Sequence, residues 1–150
     1  MATTTVKFSS VLIKKGDGAS PEVFAQPCLI NGSKAIQIIA NYSDDVVPDC
    51  DNPDNPAQIL RNADSISVEI SGAGKLHRDD AKTYVDLALG GAAANFQIDV
   101  GTAGATGAFR IAAPFVVTNF SIDTERPNTA ECTVSLSSSG LTASSVSALT

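Results

Sequence analysis

The side chains best suited to chemistry lie in an acidic stretch near the middle of the chain. Residues 41–64 hold three prolines and a set of carboxylates that includes Asp44, Asp45, Asp49, Asp51 and Asp54. Carboxylate oxygens at alternate positions, such as those of Asp49 and Asp51, are ligands that Ca²⁺ prefers. The spacing of an EF-hand is absent, since Pro53 stands at a ligand position and Leu60 where the bidentate acid belongs. The stretch therefore favours a solvated or partner-ordered loop over a metal site, and we expect no metal or cofactor.

Catalytic patterns are also missing. His77 is the only histidine, and the three cysteines, Cys28, Cys50 and Cys132, are far apart and lack a C-x-x-C spacing. The glycine-rich segment 101–107 superficially suggests a phosphate loop, but it has no lysine and favours a hairpin tip. Tryptophan is absent and there are only two tyrosines, which argues against a cleft for cleaving sugars. The sequence predicts a protein that is not an enzyme.

Length and charge narrow the function classes further. A chain of 150 residues with 43% hydrophobic residues fits a single domain, 1–150, with an ordinary core. The formal net charge is −6, so the protein lacks the positive field that binding to nucleic-acid phosphates requires. No apolar run approaches membrane-spanning length and no signal sequence is evident. We therefore expect a protein made in the cytoplasm, with no membrane partner.

Two short segments share the pattern of a half-buried strand. Residues 65–71 and 131–137 each alternate apolar with polar side chains. This two-residue period is typical of a strand that buries one face. In the first segment we expect Ile66, Val68 and Ile70 to join the core.

The clearest helix signal follows a predicted glycine turn at 72–75. Apolar residues recur at helical spacing along one stripe, which consists of Ala81, Tyr84, Val85, Ala88 and Leu89. Gly90 and Gly91 supply a C-terminal stop. The spacing predicts a helix over about residues 78–89, with its apolar stripe docked on a sheet.

The remaining signals are those of strands and turns. We predict a mainly β fold, a β-sandwich or partial barrel with one flanking α-helix at about 78–89 and a long loop at about 41–64. Asn31-Gly32 predicts a tight hairpin turn, because both residues tolerate positive φ. Residues 138–150 are rich in serine and threonine and are expected to form a flexible C-terminal tail, or an arm that orders on a neighbour.

The polar faces of the two alternating segments suggest assembly. Each combines small hydroxyl side chains with sparse glutamate, so the surface is smooth and hydrated. If copies joined edge to edge, such faces would form one continuous lining that does not grip a polyanion. We expect the lining of a channel to include Ser67, Glu69, Glu131, Thr133 and Ser135.

Segments distributed from Val6 to Gly140 carry a resemblance to a known family. In chain order they are Gly16-Asp17-Gly18, Pro21-Glu22-Val23-Phe24, Ser65-Ile66-Ser67-Val68-Glu69-Ile70-Ser71-Gly72, Ala94-Asn95-Phe96-Gln97-Ile98, Gly107-Ala108-Phe109 and Ser135-Leu136-Ser137-Ser138-Ser139-Gly140. Their order and spacing resemble the major tail tube proteins of long non-contractile (siphophage-type) phage tails and of tail-like gene transfer agents.

The resemblance implies a structural protein of the virion tail, assembled in the host bacterial cytoplasm. It implies hexameric rings stacked into a hollow tube, with DNA passing through the lumen and tape-measure and tail terminator proteins as partners. The long loop would contact the adjacent ring. The residues expected between subunits or rings are Asp44, Asp45, Asp49, Asp51, Asp54 and Arg61 from the loop and Arg78, Lys82 and Asp86 from the helix.

Two other functions stay open at this point. Related secretion-tube proteins share the fold, so fold alone does not separate them from tail tubes. A monomeric β-sandwich that binds or adheres through residues 41–64 is the alternative from another class.

Overall fold

The computed structural model of the chain describes residues 5–27 and 29–150. The first four residues of the predicted domain and the Cys28 thiol therefore lie outside the described residues. In the described part the chain forms one α-helix, α1 (Arg78–Gly90), and eight strands: β1 (Val11–Gly16), β2 (Phe24–Ala25), β3 (Ser33–Val47), β4 (Gln58–Lys75), β5 (Ala94–Val100), β6 (Phe109–Asp123), β7 (Glu131–Ser138) and β8 (Val146–Ala148). No helix in this part is long and apolar enough to cross a membrane. The predicted mainly β fold with one flanking helix is confirmed.

One antiparallel sheet contains all of these strands, in the order β2-β1-β5-β6-β7-β4-β3, with β8 beside β6. Strand β6 changes partner along its length. Its residues 109–115 pair with β5, and its residues 115–123 pair with β7. The register shifts between Val117 and Asn119, which is the kind of irregularity that bends a strand. The sheet therefore has two halves that share β6.

The two ends of the strand order approach each other at Lys34. This residue lies at the start of β3, and its Nζ donates a hydrogen bond of 2.6 Å to the carbonyl oxygen of Val11 in β1. The same ammonium group lies 4.3 Å from the centre of the Phe8 ring. Burial lowers the pKa of Lys34. The contact brings β1 and β3, which do not pair with each other, close together across the open sheet.

The core lies on the common apolar face of the sheet. Phe96 in β5 packs edge-on against Phe115 in β6, with ring centroids 5.8 Å apart. Tyr84 covers them from α1, with its centroid 6.4 Å from that of Phe96 and 6.3 Å from that of Phe120. Val68 and Ile70 are buried as predicted, whereas Ile66 is 47% exposed. The prediction for Ile66 is wrong because β7 pairs only with residues 69–75 of β4, so the sheet beside Ile66 narrows to two strands.

The helix stripe is confirmed in part. Tyr84 is buried, and Ala81, Val85 and Ala88 are half-buried, but Leu89 is 84% exposed. Leu89 lies in the last turn of the helix. The chain leaves the helix through Gly91, whose φ of 65° is left-handed and whose N–H donates to the carbonyl oxygen of Leu87.

The predicted long loop at 41–64 is wrong in extent. Strand β3 continues to Val47 and β4 begins at Gln58, so most of the segment is a two-stranded hairpin and only residues 48–57 form its tip. All three prolines of the segment lie in this tip, where no strand hydrogen bond is lost. Cross-strand pairing therefore overrides the acidic composition.

Two turn predictions are also wrong, for one shared reason. Strand β4 runs without interruption through Gly72 and Gly74, and Asn31-Gly32 does not join two paired strands. Instead the segment 29–32 lies against the end of β4: the Gly32 N–H donates to the carbonyl oxygen of Ala73, and the Lys75 N–H donates to Asn31 Oδ1. A Cβ atom at Gly72 would collide with Ile30, and one at Gly74 with Asn31 and the carbonyl oxygen of Leu29. These glycines permit close approach rather than a turn.

The C-terminal segment packs against the sheet of the same chain. Strand β8 pairs with residues 109–111 of β6, and the Leu149 N–H donates to the carbonyl oxygen of Ala108. The side chain of Leu149 is only 8% exposed.

Replacing Gly74 with alanine should destabilise the fold, because the added methyl group must displace the backbone at Leu29 and Asn31. We expect a loss of about 1–3 kcal/mol in the free energy of unfolding, the range for overpacking a closed site. Urea denaturation followed by circular dichroism measures it. Gly90→Ala is the matched control: a Cβ there meets no atom within 4 Å, and alanine favours a helix, so stability should stay equal or rise. Equal effects of the two substitutions would contradict the packing role of Gly74.

Candidate assembly surfaces

The first candidate surface is the polar face of the sheet, on the side opposite to α1. The register places Ser71 beside Ser135 and Glu69 beside Ser137, so the outward residues of β4 and β7 form one surface. This polar face brings together all five residues predicted to line a channel: Ser67, Glu69, Glu131, Thr133 and Ser135. The two glutamates are exposed and the three hydroxyl residues are half-buried.

Sequence reasoning missed a cation on the polar face. Lys75 lies directly opposite Glu131 in the β4–β7 register, and the two side chains form an ion pair. The predicted turn at 72–75 prevented the assignment of Lys75 to this face. Lys75 pairs with Glu131 only because β4 continues to residue 75. Glu69 makes no ion pair within the described chain, and it stands between Gln37 of β3 and Ser137 of β7. The negative charge of the polar face is therefore concentrated at two places. One is Glu69, and the other is Asp123, which lies opposite Glu131 at the end of β6.

The second candidate surface is the free part of the β3–β4 hairpin. Its two strands pair with each other, and side chains reinforce the pairing: Asn41 donates to Ser65 at 3.0 Å, and Ser43 donates to Asp64 at 3.0 Å. Arg61 lies 3.3 Å from Asp44, its partner across the ribbon. Over residues 58–68 of β4, no third strand of the described chain pairs with this ribbon.

Apolar side chains follow one face of the ribbon, which we call the hairpin stripe. Alternation along β3 and the register with β4 place them on the side that continues the core face of the sheet. They are 47–66% exposed, and the stripe consists of Ile38, Tyr42, Val46, Ile59 and Ile66. Sequence reasoning missed the stripe, although the alternate spacing of Ile36, Ile38, Ala40 and Tyr42 was a usable signal.

The hairpin tip is ordered by one aspartate. Asp49 Oδ1 accepts hydrogen bonds from the N–H groups of Asp51 and Asn52, and Oδ2 accepts one from Asn55 Nδ2. The Asn55 bond, followed by the backbone bonds, lowers the pKa of Asp49. Its oxygens thus satisfy the tip itself, and no group of three or more His, Cys, Asp or Glu side chains in the described chain is placed to hold a metal ion.

The helix residues predicted for subunit contacts form a separate surface. Lys82 and Asp86 make an i, i+4 ion pair of 2.7 Å, and Arg78 lies 3.8 Å from Asp79, all on the exposed side of α1. The helix packs on β6, whereas the acidic residues lie on the β3–β4 hairpin. The structure therefore brings Asp44, Asp45, Asp49, Asp51, Asp54 and Arg61 together on the hairpin and leaves Arg78, Lys82 and Asp86 on α1.

A buried carboxylate, Asp99, organises a charged cluster where β1, β5 and β6 lie side by side. Asp99 in β5 is 3% exposed. Arg110 binds it with Nε at 2.6 Å and Nη2 at 3.0 Å, and Lys14 Nζ lies 2.9 Å away. The Arg110 hydrogen bonds, and then those of Lys14, hold the pKa of Asp99 below its usual value. The cluster joins β1, β5 and β6 by their side chains as well as by their backbones.

Comparison with known proteins identifies relatives of this architecture. A family model described as phage tail tube protein matches residues 5–143. Comparison with curated protein sequences gives no match. Among solved structures, the tail of an empty gene transfer agent particle, refined with helical and C6 symmetry, has a TM-score of 0.70 and 20% identity over 93% of this chain and 100% of that chain.

Two further structures share the fold at lower identity. The SPP1 tail tube, a hybrid structure from solid-state NMR and cryo-EM, has a TM-score of 0.59 and 12% identity over 89% of this chain and 76% of that one. The sixfold-symmetrised baseplate of the anti-feeding prophage has a TM-score of 0.59 and 10% identity over 99% of both chains.

Asp99→Asn should destabilise the protein at neutral pH by about 2–3 kcal/mol, because it leaves two cations beside a neutral amide. This loss is smaller than the roughly 3–5 kcal/mol for breaking a fully buried pair, because Lys14 and Arg110 are a quarter to a third exposed. The folded-state pKa is lowered, so the carboxylate stabilises the fold above its unfolded pKa and loses this effect as the pH falls through the folded one. Urea denaturation at pH 7 and in the acid range should show the two proteins converging as the pH falls. A difference that is independent of pH would contradict the assignment.

Proposed function

The chain belongs to the phage tail tube protein family, and from this premise we propose that six copies form a ring and that rings stack into a hollow tube that conducts DNA. The observation that carries the proposal is the two-sided wall: one side of the sheet bears the core and α1, while the other is a smooth polar face. The C6 symmetry of the gene transfer agent tail supports the number six.

The polar face is proposed to line the lumen. Ser67, Thr133 and Ser135 present small hydroxyl groups, and Glu69 and Glu131 present carboxylates that repel phosphates. Lys75, the cation described on this face, is paired with Glu131, so the lining offers little positive charge to displace the counterions of DNA, and the DNA passes without specific binding. The helix, with Arg78, Lys82 and Asp86, would then lie on the outer side of the wall or between subunits.

Unpaired strand edges supply the means of closing a ring. Within the described chain β3 pairs only with β4, so one edge of this 15-residue strand is unpaired. Exposed edges of this length are templates for pairing with another chain. We propose that β3 contributes this edge to a neighbouring copy, which makes the polar faces of successive copies continuous. A repeated contact of this heterologous type closes into a ring when its rotation closes.

The wider setting follows from the same proposal. The assembled tube would be part of a virion or virion-like particle tail, built in the cytoplasm of a bacterial host. A tape-measure protein and a tail terminator would be its partners during assembly. The lumen would hold DNA only in transit.

Electron microscopy of the purified protein over a range of concentrations tests the assembly. We expect rings with six subunits and a central hole, and stacks of such rings as the concentration rises. Analytical ultracentrifugation of the same samples measures the mass of the smallest closed species. A protein that remains monomeric at all concentrations would contradict the proposal and favour the monomeric binding module.

Glu69→Lys should leave the tube intact but make its lumen adhesive, because the exposed side chain has no structural partner and six lysines per ring would attract phosphates. We expect Glu69→Lys tubes to retain short duplex DNA in a salt-dependent manner, whereas wild-type tubes retain none. Co-sedimentation of labelled DNA with tubes measures the retention, and particles carrying the variant should deliver less DNA.

Asp79→Lys is the matched control for this experiment. It makes the same charge change on α1, where the side chain is 95% exposed and faces away from the sheet. Equal retention of DNA by the two variants would contradict the lumen assignment of Glu69. Glu131→Lys should likewise spare the tube, with a smaller effect on stability than on DNA passage.

A further inference from the structure

One dipeptide of the chain carries a chemical reactivity of its own. Asn31-Gly32 is the only asparagine–glycine pair in the sequence. Glycine has no side chain, so the backbone nitrogen that follows the asparagine can approach the side-chain carbonyl carbon without hindrance. Both residues are exposed, so water can reach them. Sequence and exposure alone therefore predict that this asparagine deamidates readily.

The reaction requires only the chain and water. The backbone nitrogen of Gly32 loses its proton and attacks Cγ of Asn31, and Nδ2 leaves as ammonia. The product is a cyclic imide, and water then adds to one of its carbonyl carbons and reopens the ring. Addition at Cγ gives aspartate. Addition at the backbone carbonyl carbon gives isoaspartate, in which the main chain runs through the former side chain and is longer.

The fold holds both reacting groups on β4. The Gly32 N–H donates to the carbonyl oxygen of Ala73 at 2.9 Å, and Asn31 Oδ1 accepts the Lys75 N–H at 3.3 Å. An N–H that donates to a carbonyl oxygen is shielded from the base that would remove its proton, which is also why its hydrogen exchange is slow. The nucleophile and the electrophile are thus each bound to β4.

The residues before this pair anchor it in the core. We call the segment 29–32 the clip. Leu29 is 0% exposed and Ile30 is 1% exposed, and Ile30 occupies the space beside Gly72 that a side chain there would fill. The Leu29 carbonyl oxygen lies 3.8 Å from Cys132 Sγ. Opening the clip would expose these two apolar side chains to water, which is unfavourable.

We propose that Asn31 is a site of spontaneous deamidation that the docked clip protects, so that it reacts only in molecules whose clip has opened. The inference goes beyond the proposed tube and does not depend on it, since every contact in the argument lies within one chain. It also identifies the clip as a unit that opens locally, without unfolding of the whole domain.

The two products affect the clip differently. Aspartate keeps an oxygen that accepts the Lys75 N–H, so the clip can dock again. Isoaspartate lengthens the main chain before Gly32 and shifts this residue relative to Ala73, at a place where Gly74 leaves no spare room. The isoaspartyl form should therefore stay open.

Either product also changes the charge at one end of the polar face. Asn31 lines a small cavity of about 190 Å³ together with Lys75 and Glu131. Deamidation would add a carboxylate to this cavity, next to the existing ion pair.

Incubation of the full chain at mildly alkaline pH tests the protection. Peptide mass spectrometry measures deamidation at Asn31, and labelling by an isoaspartyl methyltransferase measures isoaspartate. We expect the native protein to react roughly a hundredfold more slowly than the same chain unfolded in urea, since two buried side chains must leave the core first. Equal rates in the native and the unfolded chain would overturn the proposal. Gly32→Ala should slow the reaction in both states, which verifies that the signal comes from imide formation.

Ile30→Val tests whether local opening of the clip is the gate. The variant lacks one methyl group of the anchor, so deamidation in the native state should be roughly threefold to tenfold faster. Hydrogen exchange of the Gly32 amide, followed by NMR, should accelerate by the same factor because both reactions need the same opening. Ile111→Val is the matched control: Ile111 is 1% exposed and pairs with Ile98, in the other half of the sheet. Its rate should stay within about twofold of the wild type.

The outcomes separate the alternatives. Equal acceleration by Ile30→Val and Ile111→Val would show that global unfolding exposes the site and would overturn the local gate. If Ile30→Val folds poorly, the wild type decides by itself. Its native-to-unfolded ratio of Gly32 amide exchange should equal its native-to-unfolded ratio of deamidation, and a mismatch would overturn the gate.

A last comparison tests the effect of the products. Asn31→Asp should have a midpoint of urea denaturation close to that of the wild type, whereas the isoaspartyl form, separated by chromatography, should have a lower one. An isoaspartyl form as stable as Asn31→Asp would contradict the assigned role of the main-chain fit at Gly74. Formation or absence of rings has no bearing on any of these measurements.

Discussion

Backbone hydrogen bonding along β6 is the constraint on which the architecture depends. This one strand pairs with β5 over its first half and with β7 over its second, so neither half of the sheet is complete without it. The register of β6 with β7 shifts near Thr118, and the rings of Phe96, Phe115 and Tyr84 pack together on the core face of the sheet. The helix α1 also packs on β6. This one strand therefore positions the core residues, the helix that packs over them and the polar face on the other side of the sheet.

The elements that pack over the apolar face of the sheet cover only part of it, and the remainder of that face is exposed to solvent. One helix, the segment 29–32 and the closure at Lys34 suffice to bury the central part of the sheet. They do not reach the hairpin, where the apolar face continues through Tyr42 and Val46 with nothing above it. The exposed apolar side chains of this face, which the Asp44–Arg61 ion pair interrupts, are costly to leave in water and are typical of a surface that meets a partner. The exposed stripe and the unpaired edge of β3 lie on the same hairpin, and both are consistent with the proposed assembly of several copies.

The charged side chains of the described chain lie in three settings: the cluster at Asp99, the exposed ribbon and helix, and the polar face of the sheet. The described ion pairs either stabilise the fold, as at Asp99, or lie on exposed ribbons and helices where they contribute little to stability. The carboxylates at the hairpin tip repel one another, and Asp49 offsets part of this by accepting the hydrogen bonds that order the tip. The polar face differs, since its small hydroxyl groups and few acids keep a surface wet without attracting a polyanion.

The sequence by itself determined the local elements whose residues carry a strong period. The helix at 78–90, the strands around Val68 and Val134, the mainly β class and the residues of the polar face follow from alternation and helical spacing, which depend only on near neighbours in the chain. The order of motifs along the chain also indicated the family.

Tertiary structure alone decided what depends on distant partners. The segment 41–64 has the composition of a loop, yet it is a hairpin because each strand supplies the other's hydrogen bonds. Gly72 and Gly74 have the signature of a turn, yet they lie in a strand because residues 29–32 press against them. Ile66 has the pattern of a core residue, yet it is exposed because β7 ends before reaching it. Periodicity states which side of a strand is apolar, and only the packed chain states whether anything covers that side.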